Sequence, residues 1–306
     1  MLPHPFFGQQ SNIFFSYQIE NVRFGVVINN VKFVCWKIEL IHPLNIQISM
    51  KTKKAIVKNW LPRYCGIPLE DFGKYIILVN FNYYVKKFAE IHKVEVKGQN
   101  ANMPNATANG ITIIDFGMGS PNSATIIDLL SAVKPKGILF IGKCGGLKNM
   151  NNLGDFILPI AAIRGEGTSN DYFPPEVPAL PAFALQKAVS TAIRENSFDY
   201  WTGTVYTTNR RVWEHDKKFK NYLKSIRAMA IDMETATVFI AAFKNKIPAG
   251  ALLLVSDQPM TPAGVKTEES DKEITKNYTD IHLQIAIESL QTLINNGNTI
   301  KHLKFE

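Results

Sequence analysis

The side chains best placed to do chemistry in this sequence each follow directly on an apolar run. Asp257 closes the stretch Ala249-Gly250-Ala251-Leu252-Leu253-Leu254-Val255-Ser256-Asp257-Gln258-Pro259. Such a stretch reads as a strand buried on both faces that carries a carboxylate to its C-terminal edge. In open α/β sheets that edge is where ligands bind; the plainer alternative is an Asp that starts a turn. A second acidic pair, in Asp232-Met233-Glu234-Thr235, follows Met229-Ala230-Ile231. It suits a helix N-terminus, where acids face the dipole, or a carboxylate that accepts hydrogen bonds from two neighbouring sugar hydroxyls. Thr207-Thr208-Asn209-Arg210-Arg211-Val212-Trp213-Glu214 sets two arginines side by side after a strand. An arginine pair is solvated surface unless it grips a phosphate monoester, which the planar guanidinium fork fits well. Arg63 and Arg164 are isolated further candidates.

Two glycine turns also follow apolar runs. Gly117-Met118-Gly119-Ser120 opens a helix, so its backbone N–H groups suit an anion or hydroxyls. Lys143-Cys144-Gly145-Gly146 follows Gly137-Ile138-Leu139-Phe140-Ile141-Gly142. Neither turn has the Gly-x-Gly-x-x-Gly dinucleotide fingerprint or the Gly-Lys-Ser/Thr ending of a triphosphate loop, which disfavours nicotinamide or ATP chemistry. No cofactor is expected. His92, His215, His282 and His302 read as residues of polar helical faces or the tail, without zinc spacing. Cys35, Cys65 and Cys144 form no ligand set, so no metal is expected either, and their unpaired number fits a reducing cytoplasm.

The elements that must position these groups alternate. A first helix is expected to end at Leu61-Pro62, because proline disfavours helical geometry before it. Tyr75-Ile76-Ile77-Leu78-Val79 reads as a strand, and Phe81, Tyr84, Val85, Phe88 and Ile91 recur at helical spacing. Further strands are expected at residues 111–116, 137–142, 155–163, 201–207, 228–231 and 250–255, with helices at 122–133, 181–195, 212–224, 234–244 and 271–295. This order gives an α/β fold with a mixed, mostly parallel central sheet flanked by helices. Residues 50–306 read as a single domain. Residues 1–49 differ, with eight aromatics, five charged residues and no helical period. They read as an N-terminal extension, either an upstream translation ahead of a true start at Met50 or a poorly ordered segment.

At 306 residues, 46% hydrophobic and 20% charged, the chain has the balance of a globular protein. No apolar run approaches the roughly 18 to 20 residues of a membrane span. The net charge of +8 comes from lysines scattered in twos and threes rather than from a basic stripe with aromatics, which argues against nucleic acid as a partner. A modest positive field does favour a small anionic substrate.

Taken together and in order, Gly117-Met118-Gly119, Gly142-Lys143-Cys144-Gly145-Gly146, Asp232-Met233-Glu234-Thr235-Ala236-Thr237 and Val255-Ser256-Asp257-Gln258-Pro259 resemble the purine nucleoside phosphorylase and nucleosidase superfamily. The resemblance covers essentially residues 50–306. Arg63-Tyr64 with Gly66, Lys143-Cys144-Gly145-Gly146-Leu147, Thr207-Thr208 with Arg211 and Trp213-Glu214, and Ala230-Ile231-Asp232-Met233-Glu234 are most similar to its AMP nucleosidase branch, in a short form limited to the catalytic domain. The resemblance implies a nucleoside phosphorylase-like fold and hydrolysis of AMP to adenine and ribose 5-phosphate. It also implies a homo-oligomer, a hexamer built from dimers. It makes Asp257, next to Ser256, the purine-facing acid, and Met233 with Glu234 the ribose contacts. It makes Gly117 to Gly119 and Cys144 to Gly146 the turns around sugar and base. Arg211, with Arg63 and either Arg164 or Arg210, is then expected to hold the 5′-phosphate. The chain lacks the Gly-Asp-Pro-x-x-Arg loop of the phosphorylases and has Phe140 where many relatives carry a phosphate-binding Arg. Both departures weigh against the alternative of a nucleoside phosphorylase. A nucleosidase acting on unphosphorylated nucleosides and a nonenzymatic nucleotide sensor also remain compatible with these residues.

Overall fold

The computed structural model describes backbone strands at residues 13–19, 22–29 and 32–36, together with residues 52–261 and 264–296. It divides into two units, Met1–Ser49 and Met50–Glu306. In the first, β1 (Ile13–Ile19), β2 (Val22–Asn29) and β3 (Lys32–Trp36) form an antiparallel sheet in the order β1-β2-β3. These runs are rich in Ile, Val and Phe, which favour a pleated surface and explain the missing helical period. Met50, the expected start, lies outside the described residues.

The second unit begins with α1 (Lys53–Cys65), capped by the Thr52 hydroxyl. The helix does not stop at Pro62; it continues one turn to Gly66, whose left-handed backbone lets its N–H bond the Pro62 carbonyl at 2.7 Å. The remaining elements are β4 (Tyr75–Val79), α2 (Asn82–His92), β5 (Asn105–Ala108), β6 (Ile111–Asp115), α3 (Ser120–Leu130), β7 (Gly137–Gly146), β8 (Phe156–Gly165), α4 (Phe183–Glu195), β9 (Tyr200–Thr208), α5 (Lys217–Ser225), β10 (Ala230–Asp232), α6 (Thr235–Lys244), β11 (Ala249–Asp257) and α7 (Glu268–Asn295). Strand β5 was not expected, since Asn-Ala-Thr-Ala carries little hydrophobic signal; it is an edge strand antiparallel to β6. Helix α5 starts five residues later than the sequence predicts, because Asp216 caps it through the Phe219 N–H. Residues 209–216 are thereby left as a loop.

The sheet order is β10-β9-β8-β11-β7-β4-β6-β5, with β10 also pairing back onto β7. The pairs β4–β6, β4–β7, β7–β11, β8–β9 and β9–β10 are parallel, while β5–β6, β8–β11 and β7–β10 are antiparallel. This is the mixed, mostly parallel sheet that the alternation of elements predicts. Period-two alternation divides each strand between two cores. In β4, Ile76 and Leu78 pack with α1, α3 and α6, while Tyr75, Ile77 and Val79 pack with α2, α4 and α7. On α2, Tyr84 and Phe88 are fully buried core, while Tyr83 and Ile91 face out.

His282 departs from its expected polar face. It is fully buried, with Nδ1 2.7 Å from the Tyr84 hydroxyl and Nε2 3.0 Å from the Leu252 carbonyl. A carbonyl only accepts, so Nε2 carries the proton and Nδ1 accepts from Tyr84. Burial lowers the pKa of His282 to about 4, which makes it a neutral structural residue tying α2 and α7 to β11.

Candidate active site

A cavity of about 240 Å³ opens at the C-terminal ends of β4, β6, β7, β9, β10 and β11, the edge at which open α/β sheets hold ligands. Strand β11 reaches it through an irregularity. Val255 pairs with Cys144 and Asp257 with Gly145, so Ser256 is one extra residue in the ladder. A bulge of this kind re-aims the side chain that follows it. Gly145 makes room for the result, since a Cβ there would lie 3.2 Å from Asp257 Oδ2 and 2.9 Å from Pro259 Cγ. The Ser256 hydroxyl donates to Asp257 Oδ1 at 2.8 Å. Burial raises the Asp257 pKa, against the opposing pull of the Lys266 ammonium 3.8 Å away.

Asp232 and Glu234 divide the two roles that the sequence left open for the acidic pair. Asp232 is spent on structure. Its Oδ1 accepts from the Thr207 hydroxyl at 2.7 Å, and its Oδ2 accepts from the Thr235 hydroxyl and amide and the Glu234 amide at the start of α6. Glu234 has fewer donors. Oε1 accepts from the Gly119 N–H at 2.7 Å and Oε2 from the Met233 N–H at 3.2 Å. Burial, then the neighbouring Asp232 charge, raise its pKa to about 8. Two side chains in one turn thus differ in how completely the protein satisfies them.

The glycine turn after β6 behaves differently from a free anion nest. Gly117 and Gly119 both have positive φ, but the Gly117 N–H bonds Asp115 Oδ1 and the Gly119 N–H bonds Glu234. The turn positions protein carboxylates. Cys144 is buried, and its thiol is pushed well up by burial and by the charges of Asp257 and Asp232, so it is no nucleophile.

The arginine loop stands at the cavity rim. Arg211 pairs with Glu214 at 3.2 Å, and Arg210 pairs with Asp216 at 2.9 Å while lying over the Phe219 ring. Their side chains are 52% and 47% exposed, respectively. Despite burial, hydrogen bonds from the Glu214 and Trp213 amides and the Arg211 charge hold the Glu214 pKa below its ordinary value.

A family model described as the phosphorylase superfamily matches residues 74–291. The chain belongs to the phosphorylase superfamily. Among similar proteins, AMP nucleosidase of Escherichia coli (strain K12) is 28% identical over 291 residues, covering 80% of this chain and 60% of that protein. The chain thus spans about 60% of that relative's length. The crystal structure of AMP nucleosidase from Bacteroides thetaiotaomicron VPI-5482 is 55% identical, with a TM-score of 0.72, covering 80% of this chain and 100% of that one. Uridine phosphorylase from Vibrio fischeri ES114 shares the fold at 22% identity, with a TM-score of 0.63 over 74% of this chain and 94% of that one.

This superfamily chain brings Met118, Cys144, Gly145, Arg210, Arg211, Met233, Glu234, Ser256 and Asp257 together around the cavity. Gly117 and Gly119 stand behind them, and Gly146 is a ladder residue opposite Ala230. Arg63 is exposed on α1 and does not line the cavity. Arg164 is a correction to the phosphate-binding expectation. Its guanidinium clamps a loop of its own chain, donating to Ser169 Oγ, Asn170 Oδ1 and the carbonyls of Phe173, Pro174 and Val177. A side chain with five such bonds is committed to loop structure. Sequence reasoning missed Asn80, Lys143, Lys266 and Asp271, all of which line the cavity. Asn80 had a signal of the Asp257 kind, a polar residue closing a buried strand, and its Oδ1 is buried without a partner among the described residues.

Among the described residues no helix is long and apolar enough to cross a membrane.

Proposed function

We propose that the chain is an AMP nucleosidase, hydrolysing the N-glycosidic bond of AMP to adenine and D-ribose 5-phosphate. The observation that carries this reading is one cavity combining a largely buried acid at a strand end, a buried second carboxylate and a rim of two arginines. Its likeness to the Bacteroides AMP nucleosidase supports it. Water attacks C1′ as the C1′–N9 electron pair leaves with adenine, and Asp257 delivers a proton to N7. The proton that the water gives up passes to solvent, from which Asp257 is protonated again. Burial raises the Asp257 pKa above that of an ordinary carboxylate, which favours the protonated form that the role requires. Glu234 accepts from the ribose hydroxyls, and Arg211 and Arg210 hold the 5′-phosphate.

Phe140 supports hydrolysis over phosphorolysis. It is fully buried, with its ring 5.9 Å from that of Phe116, so β7 offers no cation at that position. In the same reading residues 50–306 are the catalytic domain and residues 1–49 an extension. The enzyme works in the cytoplasm as a homo-oligomer, a hexamer by family resemblance. Light scattering of the purified protein tests the oligomer, and intact mass of the native protein tests the extension.

The activity test is incubation with AMP and with adenosine, each with and without phosphate, with the products identified. Adenine and ribose 5-phosphate from AMP without phosphate is the expected result. Phosphate-dependent ribose 1-phosphate from adenosine would replace this reading with a phosphorylase, and no product at all with a nucleotide sensor.

A further inference from the structure

Charged side chains from three segments alternate in sign along one side of the cavity. Lys266, in the loop before α7, lies with Nζ 3.8 Å from Asp257 Oδ1 and 3.4 Å from Asp271 Oδ1. Lys143, near the end of β7, donates to the same Asp271 oxygen at 2.8 Å and to Thr275 Oγ1 at 2.7 Å. Three members of the cluster are largely withdrawn from solvent, the side chains of Lys143, Asp257 and Lys266 being 4%, 12% and 20% exposed, while that of Asp271 is 35% exposed. Charges so placed are screened much less than surface pairs.

The spacing of Lys266 and Asp271 is built in. Between them Thr267 and Ser270 form a reciprocal capping box, the Thr267 hydroxyl accepting from the Ser270 N–H and the Ser270 hydroxyl from the Thr267 N–H. Such a box satisfies two otherwise orphaned donors at the helix start and so stabilises its first turn. Asp271 is therefore held in the first turn of α7, facing back toward the lysine that precedes it.

We infer that Asp271 is a positioning residue for the acid Asp257, acting through Lys266: it retains the ammonium on its own side and keeps it from closing on the acid. This rests on the reading of Asp257 as the general acid. An ammonium in direct contact with a carboxylate favours the ionised form and strips an acid of its proton. At 3.8 Å Lys266 stands just outside hydrogen-bond reach of Asp257. Neutralising Asp271 releases it and also removes a nearby like charge, and both changes lower the proton affinity of Asp257. The other groups acting on Asp257 are the Ser256 hydroxyl on its own strand, Arg211 and Glu214 from the loop after β9, and Lys143 from β7. Asp232, on β10, acts with Asp257 on the Cys144 thiol between them.

The test is kcat for AMP hydrolysis from about pH 5 to 9 in the native enzyme, Asp271→Asn, Asp271→Glu, Lys266→Met and the double variant Asp271→Asn/Lys266→Met. A general acid loses activity as pH rises through its pKa. In Asp271→Asn that alkaline limb is expected to move down by about one pH unit, the scale of an opposite charge brought into contact. Asp271→Glu should restore it. Asp271→Asn should lower the limb much less in the Lys266→Met background than in the native one, because the ammonium is gone and only the loss of the Asp271 charge remains, while Lys266→Met alone should move it up. A purely structural Asp271 predicts a uniform drop in rate with an unmoved limb. That result, or a double variant that keeps the full downward shift relative to Lys266→Met, overturns the inference while leaving AMP hydrolysis intact. Undiminished turnover in Asp257→Asn would instead overturn the acid assignment and this inference with it.

Discussion

The strand edge and the arginine loop border one cavity but are built on opposite principles. At the edge, Glu234 is 2% exposed and is held by backbone donors, while Asp257 is aimed by a ladder irregularity against a glycine. In the loop, Arg210 and Arg211 are half exposed and are held by ion pairs with Asp216 and Glu214 of their own segment. Exposed pairs contribute about 0 to 1 kcal/mol, so they exchange partners readily, whereas a buried carboxylate cannot leave its donors without a large penalty. Proton transfer to a leaving base needs a raised pKa, which burial supplies at this edge. Recognition of a phosphate needs cations that can drop one anion for another. The difference between the regions is therefore a difference between tuning a proton and presenting a charge.

The largest effect should come from the edge. Asp257→Asn removes the proton donor and is expected to lower kcat by about 100-fold or more, the scale of a lost general acid. Steady-state turnover of AMP near the native rate would reject the assignment. Glu234 offers a readout independent of substrate. Its pKa is about 8 in the folded chain against an ordinary value of 4.5, so the folded state holds a proton more tightly than the unfolded one. Its contribution to stability is then complete below the unfolded value and is lost as pH rises through about 8. A tenfold difference in proton affinity between the two states corresponds to about 1.4 kcal/mol. Thermal unfolding across pH 5 to 9 should show a decline in the native protein that is flatter in Glu234→Gln, and parallel curves would break the contrast with the loop.

What the sequence revealed follows the same division. Buried strands such as Ala249–Asp257 were legible because parallel strands covered on both faces are continuously apolar, and the polar residues ending them pointed to the site. Three kinds of feature were not legible. The weak edge strand Asn105–Ala108 lacks a hydrophobic pattern and exists because β6 offers it a ladder. His282 sits at a polar-looking position of α7, yet Tyr84 and Leu252, far away in sequence, make it a core residue. Lys266 lies in a polar stretch with no periodic signal and Asp271 at the expected start of α7, and only the return of the chain over β7 and β11 brings Lys266 to the acid and Asp271 to Lys143. Arg164 failed in the opposite sense: its residue type suited a phosphate, but its donors were already claimed by the loop at residues 169–177.

The loop itself predicts a smaller and differently shaped effect. Arg211→Ala should raise KM for AMP by about tenfold while leaving kcat within a few-fold, since a charge-assisted bond to phosphate contributes about 1.5 to 3 kcal/mol and part of that is offset by giving up Glu214. Arg210→Ala should cost less. Its guanidinium is tied at 2.9 Å to Asp216 and lies 4.9 Å from the Phe219 ring centroid, so a phosphate must displace more to recruit it. Added salt, at a few hundred millimolar, shortens the Debye length to a few ångströms and should raise KM for AMP severalfold in the native enzyme. It should do so much less in Arg211→Ala and hardly alter kcat in either, because the buried acid is shielded from bulk ions. Measured as KM and kcat against ionic strength, a salt effect on kcat equal to that on KM would mean that the proton-tuning edge is as open to solvent as the loop, and the distinction between the two regions would fall.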